Sequence, residues 1–103
     1  MTPVIHASKL WDGEMLGVRI GGVPILIARV DDAIVAYRDA CPHLGVALSD
    51  GTLSGTTLTC SAHGWTYDVT TGHGKNPLSA RLRPVRLEIR DDTVFVDPGE
   101  EAS

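Results

Sequence analysis

The chain has 103 residues, 43% of them hydrophobic and 21% charged, proportions that exclude wholesale disorder and a low-complexity scaffold and leave room for one domain spanning 1–103. Nine basic against thirteen acidic side chains give a net charge of −4, which argues against nucleic acid as a partner. Eleven Gly and six Pro interrupt the sequence too often for long helices, so short strands joined by tight turns are expected.

The opening Met1-Thr2-Pro3-Val4-Ile5-His6 lacks the basic and long apolar regions of a signal peptide. No apolar run approaches the roughly 18 residues that cross a bilayer, so a cytoplasmic location and no membrane partner are expected. His6 reads as an ordinary strand or surface side chain, and Ser8 as the cap of one helical turn over Lys9-Leu10-Trp11, ended by Asp12-Gly13. From 15 to 20, Leu16, Val18 and Ile20 alternate with Met15, Gly17 and Arg19 as a half-buried strand should. Turns at Gly21-Gly22 and Asp31-Asp32 then separate strands over 23–30 and 33–38, completing a meander. Residues 40–74 show little periodicity but hold both cysteines and three of the four histidines. A hairpin follows: Val85, Leu87 and Ile89 alternate with Arg86, Glu88 and Arg90, and after Asp91-Asp92 the segment 93–96 returns. The acidic end, 98–103, is expected to fray.

Two motifs in the aperiodic segment carry chemistry. Cys41-Pro42-His43-Leu44-Gly45 and Cys60-Ser61-Ala62-His63-Gly64-Trp65 give C-x-H, sixteen intervening residues, then C-x-x-H. Two thiolates and two imidazoles suit either a tetrahedral zinc, which would make the chain a zinc-stabilised interaction module, or a two-iron, two-sulfide cluster. Structural zinc sites usually leave two to four residues between neighbouring ligands, whereas C-x-H leaves one, so the spacing favours the cluster. Pro42, Gly45 and Gly64 allow backbone amides to come close to sulfide. His73, in Gly72-His73-Gly74, has no cysteine at ligand spacing and reads as a turn residue.

On these motifs the chain resembles the Rieske proteins, whose [2Fe-2S] cluster is held by C-x-H and C-x-x-H loops. The resemblance implies an all-β fold of small antiparallel sheets with a cluster-binding subdomain at one tip, here about 40–80. It also implies that Cys41 and Cys60 bind one iron while His43 and His63 bind the other. The runs Leu48-Ser49-Asp50-Gly51, Trp65-Thr66-Tyr67 and Thr71-Gly72-His73-Gly74-Lys75-Asn76-Pro77 are similar to the ferredoxins of toluene monooxygenases, which feed a diiron hydroxylase. Ferredoxins of ring-hydroxylating dioxygenases and the small Rieske subunit of nitrite reductases share the ligand loops. The Rieske proteins of respiratory and photosynthetic complexes bridge the loops with a disulfide, and the matching positions here are Val46 and Ala62. Those proteins also have a Ser hydroxyl donor where this chain has Trp65, although Tyr67 matches their Tyr. Fewer donors point to the low end of the Rieske range, which runs from roughly −150 to +300 mV.

The implied role is one-electron transfer from a flavin-containing NADH oxidoreductase to a terminal oxygenase, either a diiron hydroxylase or a Rieske non-haem iron oxygenase. No nucleophile, general-base or phosphate-binding constellation is present in the sequence, so the chain is not expected to be an enzyme by itself. Between 40 and 74 there is no Lys or Arg, and Pro42, Leu44, Val46, Trp65 and Pro77 could form an apolar contact patch. Asp12, Glu14, Asp31, Asp32 and Asp39 read as a solvated acidic face able to steer the chain toward a basic partner.

Overall fold

The computed structural model describes residues 1–41, 46–62 and 64–101. Its strands are β1 (Thr2–His6), β2 (Met15–Ile20), β3 (Val23–Val30), β4 (Ala33–Arg38), β5 (Thr52–Ser54), β6 (Thr57–Thr59), β7 (Thr66–Asp68), β8 (His73–Asn76), β9 (Val85–Arg90) and β10 (Thr93–Glu101). They pair antiparallel in three sheets, ordered β1-β10-β9, β2-β3-β4 and β5-β6-β7-β8. This is the all-β architecture expected from the sequence.

Both residues of the Gly21-Gly22, Asp31-Asp32 and Asp91-Asp92 turns have left-handed φ, between 49° and 82°. Two-residue turns of that hand match the twist of the strands they join, and Asp tolerates the left-handed region better than most residues. Strand β3 is nearly all apolar because it is covered on both faces. Ile25 and Ile27 enter one core with Val85, Val94 and Val96, while Leu26 and Val30 enter a second core with Leu48, Leu58, Tyr67, Cys41 and Cys60. The period of two is therefore intact, but each face meets its own apolar layer. The first core joins two of the sheets, and the second carries the cysteines.

Three expectations are corrected. Ser8 is no cap: its N–H and hydroxyl donate to the Asp92 carboxylate at 3.2 and 2.7 Å, and the 3₁₀ turn covers Ala7–Lys9. The acidic end does not fray from residue 98, since β10 continues to Glu101 past an irregularity after Asp97, and Arg38 Nη2 donates to the Pro98 carbonyl at 3.0 Å. His73 opens β8 and is exposed, so the turn precedes it. The first two depend on partners distant in sequence, which local reading does not reach.

Tyr37 of β4 ties the meander to the third sheet. It is buried, and its hydroxyl donates to the Val69 carbonyl at 2.6 Å. Tyr37→Phe is expected to lower stability by about 1–3 kcal/mol, because a buried carbonyl loses its donor. Burial pushes the Tyr37 phenol above its ordinary value, with the Asp68 carboxylate adding to the effect. A group with a raised folded pKa contributes stability that is complete below its unfolded value and is lost as pH rises through the folded one. The gap between wild type and Tyr37→Phe should therefore narrow as pH climbs past about 10, which thermal midpoints at neutral and alkaline pH would measure.

Candidate metal centre

Strand β4 ends at Arg38, and the chain reaches Cys41 after two more residues. The Cys41 N–H donates to the Val46 carbonyl at 2.7 Å, and the Cys60 N–H donates to the Trp65 carbonyl at 2.8 Å. Each cysteine thus closes a loop onto the residue five places later. The second loop is the connection between β6 and β7, whose register pairs Thr59 with Thr66. A 3₁₀ turn over Leu48–Asp50 follows the first loop and buries Leu48 in the core beneath the cysteines.

Cys41 and Cys60 are 2% and 1% exposed, and neither forms a disulfide. Burial pushes the Cys60 thiol up, the Ala62 amide opposes that by donating to the sulfur, and Cys41, within hydrogen-bonding reach, raises it further. Two adjoining sulfurs in a dry site are poor thiolates alone and good ligands to a cation that replaces their protons. The Tyr67 hydroxyl lies 3.4 Å from Cys41 Sγ. Burial, then the hydrogen bond with Cys41, pushes the Tyr67 phenol well above its ordinary range, so it remains a proton-bearing donor. Two buried sulfurs, an amide and a hydroxyl aimed at them form a donor set that fits an iron–sulfur group.

Of the residues singled out in the sequence, Cys41, Cys60, Val46, Gly64, Trp65, Tyr67 and Pro77 fall among the described ones. His43, His63, Pro42, Leu44 and Gly45 lie outside them. Val46 closes the first loop through its carbonyl, and Trp65 is partly buried against the core that holds both cysteines. Gly64 has φ +67°, a conformation that favours glycine, at the point where the second loop turns back toward Trp65. Pro77 belongs to a turn closed by the bonds Ala80 N–H to Pro77 O and Gly74 N–H to Ala80 O. Leu78 beside it is 77% exposed, an apolar surface residue the sequence reading did not name.

Asp39 contradicts its expected place on a solvated acidic face. It is 6% exposed, and its carboxylate accepts both the N–H and the hydroxyl of Ser49. Its partner lies on the far side of the loop.

A family model described as the Rieske [2Fe-2S] domain matches residues 1–86. The ferredoxin component of an alkene monooxygenase system from Xanthobacter autotrophicus is 34% identical over 94 residues, covering 90% of this chain and 77% of the relative. The ferredoxin component of biphenyl 2,3-dioxygenase from Rhodococcus jostii is 34% identical over 98 residues, covering 94% of this chain and 92% of the relative. Among solved structures, a complex of reduced oxygenase and oxidized ferredoxin in carbazole 1,9a-dioxygenase contains a chain that is 33% identical. It superimposes with a TM-score of 0.86 over 98% of this chain and 94% of that one.

Proposed function

The chain belongs to the Rieske [2Fe-2S] family, and from that premise we propose that it is a cytoplasmic electron carrier that takes electrons from a flavin-containing NADH oxidoreductase and delivers them to a terminal oxygenase. It is a ferredoxin component rather than an enzyme, and its cofactor is one Rieske-type [2Fe-2S] cluster. The observation that carries the reading is the pair of buried, adjoining sulfurs of Cys41 and Cys60, each at the root of a loop that also contains a histidine. In the proposed ligand set these sulfurs hold one iron, and His43 and His63 hold the other. Bound there, the cluster supplies reversible one-electron chemistry.

The chain's own residues set how easily an electron is added. Two thiolates and two neutral imidazoles leave the oxidised site uncharged, whereas four thiolates would make it doubly negative, so reduction is easier with histidine. The Tyr67 hydroxyl and the Ala62 amide favour the more negative, reduced state by donating toward sulfur. Tyr67→Phe is accordingly expected to lower the midpoint potential by about 40–60 mV, equivalent to about 1 kcal/mol of differential hydrogen bonding. Spectroelectrochemical titration measures it, and an unchanged potential would show that the hydroxyl does not act on the cluster.

Relatives that serve a monooxygenase and a dioxygenase match this chain equally at 34% identity. The finer reading, a diiron monooxygenase as acceptor, is supported by the similarity of 65–67 and 71–77 to toluene monooxygenase ferredoxins. A dioxygenase as acceptor is the second reading, supported by the likeness to the carbazole dioxygenase ferredoxin. Electron paramagnetic resonance of the dithionite-reduced holoprotein tests the core proposal. A rhombic signal with two irons and two acid-labile sulfides per chain is expected; a colourless protein holding one zinc and no sulfide would overturn it.

A further inference from the structure

Asp39 is the one charged side chain among the described residues that is buried. Its Oδ1 accepts the Ser49 N–H at 2.8 Å, its Oδ2 accepts the Ser49 hydroxyl at 2.6 Å, and its own N–H donates to the Pro24 carbonyl at 3.0 Å. Both oxygens act as acceptors, the pattern of a carboxylate. Asp39 precedes the first loop and Ser49 follows it, so the pair ties the two ends of a segment that contains Cys41 and His43. Beneath the pair lies Gly17 of β2, where a Cβ would stand 2.6 Å from Ser49 Oγ and 2.8 Å from Asp39 Oδ2. Only the missing side chain lets the carboxylate and the 3₁₀ turn rest on the sheet. A charge of this kind is costly to bury, and both hydrogen bonds that offset the cost come from one residue beyond the loop.

We propose that Asp39 is a positioning residue: clamped by Ser49, it fixes the first ligand loop and holds its carboxylate at the loop's base, lowering the reduction potential. The inference rests on the reading of Cys41 and His43 as ligands. Charge and clamp separate by substitution. Asp39→Asn removes the charge and keeps the shape; Ser49→Ala keeps the charge and removes one bond. Asp50, exposed on the same 3₁₀ turn, provides a surface-charge control. A carboxylate shielded from water acts on a nearby charge more strongly than one that faces solvent.

The test uses holoprotein of wild type, Asp39→Asn, Asp50→Asn, Ser49→Ala and Ser49→Thr. It reads midpoint potential, the spin signal of the reduced state and the rate of iron loss to a chelator. Asp39→Asn should raise the potential by more than Asp50→Asn does. Ser49→Ala should release iron on the order of tenfold faster, matching the loss of one hydrogen bond to a charged group, and Ser49→Thr should restore the wild-type rate. Asp39→Asn holoprotein with wild-type potential and signal, or a shift no larger than that of Asp50→Asn, overturns the proposal even if its thermal midpoint falls. If Asp39→Asn does not accumulate with a cluster, Ser49→Ala decides: a wild-type release rate overturns the proposal. Cys41→Ser, made in parallel, keeps the two readings apart, since a retained cluster there defeats the ligand assignment instead.

Discussion

Cys60→Ser, produced in a host that assembles iron and sulfide, is expected to purify without the visible absorption and spin signal of the wild type and with iron and sulfide near background. The sulfur is 1% exposed, within reach of Cys41 and of the Ala62 amide, and fixed by the Trp65 carbonyl on its own N–H. A serine hydroxyl is a harder and far less acidic donor, so at neutral pH it offers iron no anion in that dry site. Because ligand binding is coupled to folding, the thermal midpoint should also fall by more than any single core contact would explain. Cys41→Ser should behave alike. His43→Ala and His63→Ala address the other half of the proposed set, and either variant retaining full visible absorbance would strike that histidine from it.

The expected loss in these variants was legible in the sequence because the ligand types and their spacing are local. The meander and the last hairpin were legible for the same reason: Leu16, Val18 and Ile20 alternate along β2, and the Gly21-Gly22, Asp31-Asp32 and Asp91-Asp92 turns set their own backbone conformation. Strands β5 to β8 escaped notice. Each is three or four residues long, and Thr52, Ser54, Thr57, Thr59 and Thr66 give no apolar alternation. What organises that sheet is one row across it, Leu53, Leu58, Tyr67 and Gly74, visible only once the register is known. Asp39 failed to stand out for a related reason: its burial depends on Ser49 and on the absence of a side chain at Gly17, contacts that no local pattern encodes.

Gly51→Ala is expected to be strongly damaging although Gly51 is not a ligand. A Cβ on Gly51 would run into the Thr59 carbonyl, with the Leu48 carbonyl at 3.2 Å on another side. The obstacle is backbone and has little freedom to yield: Thr59 pairs with Thr52 on one side and with Thr66 on the other, and the next residue is Cys60. Relief must come from moving β6, which moves the second cysteine, or from lifting the 3₁₀ turn, which pulls on the Ser49 side of the first loop. A cost at or above the upper end of about 1–3 kcal/mol is expected, together with reduced cluster occupancy or an altered spin signal. Gly55→Ala separates this from generic glycine strain. Gly55 sits in the β5–β6 turn at φ +59° with open space around its Cα, so alanine there costs on the order of 1 kcal/mol of backbone strain and touches nothing. If both variants lose stability but only Gly51→Ala disturbs the cluster, the close approach of Gly51 to Thr59 is what sets the position of the second sulfur. If Gly51→Ala keeps the wild-type signal, β6 tolerates displacement and the sulfur is placed by its own loop.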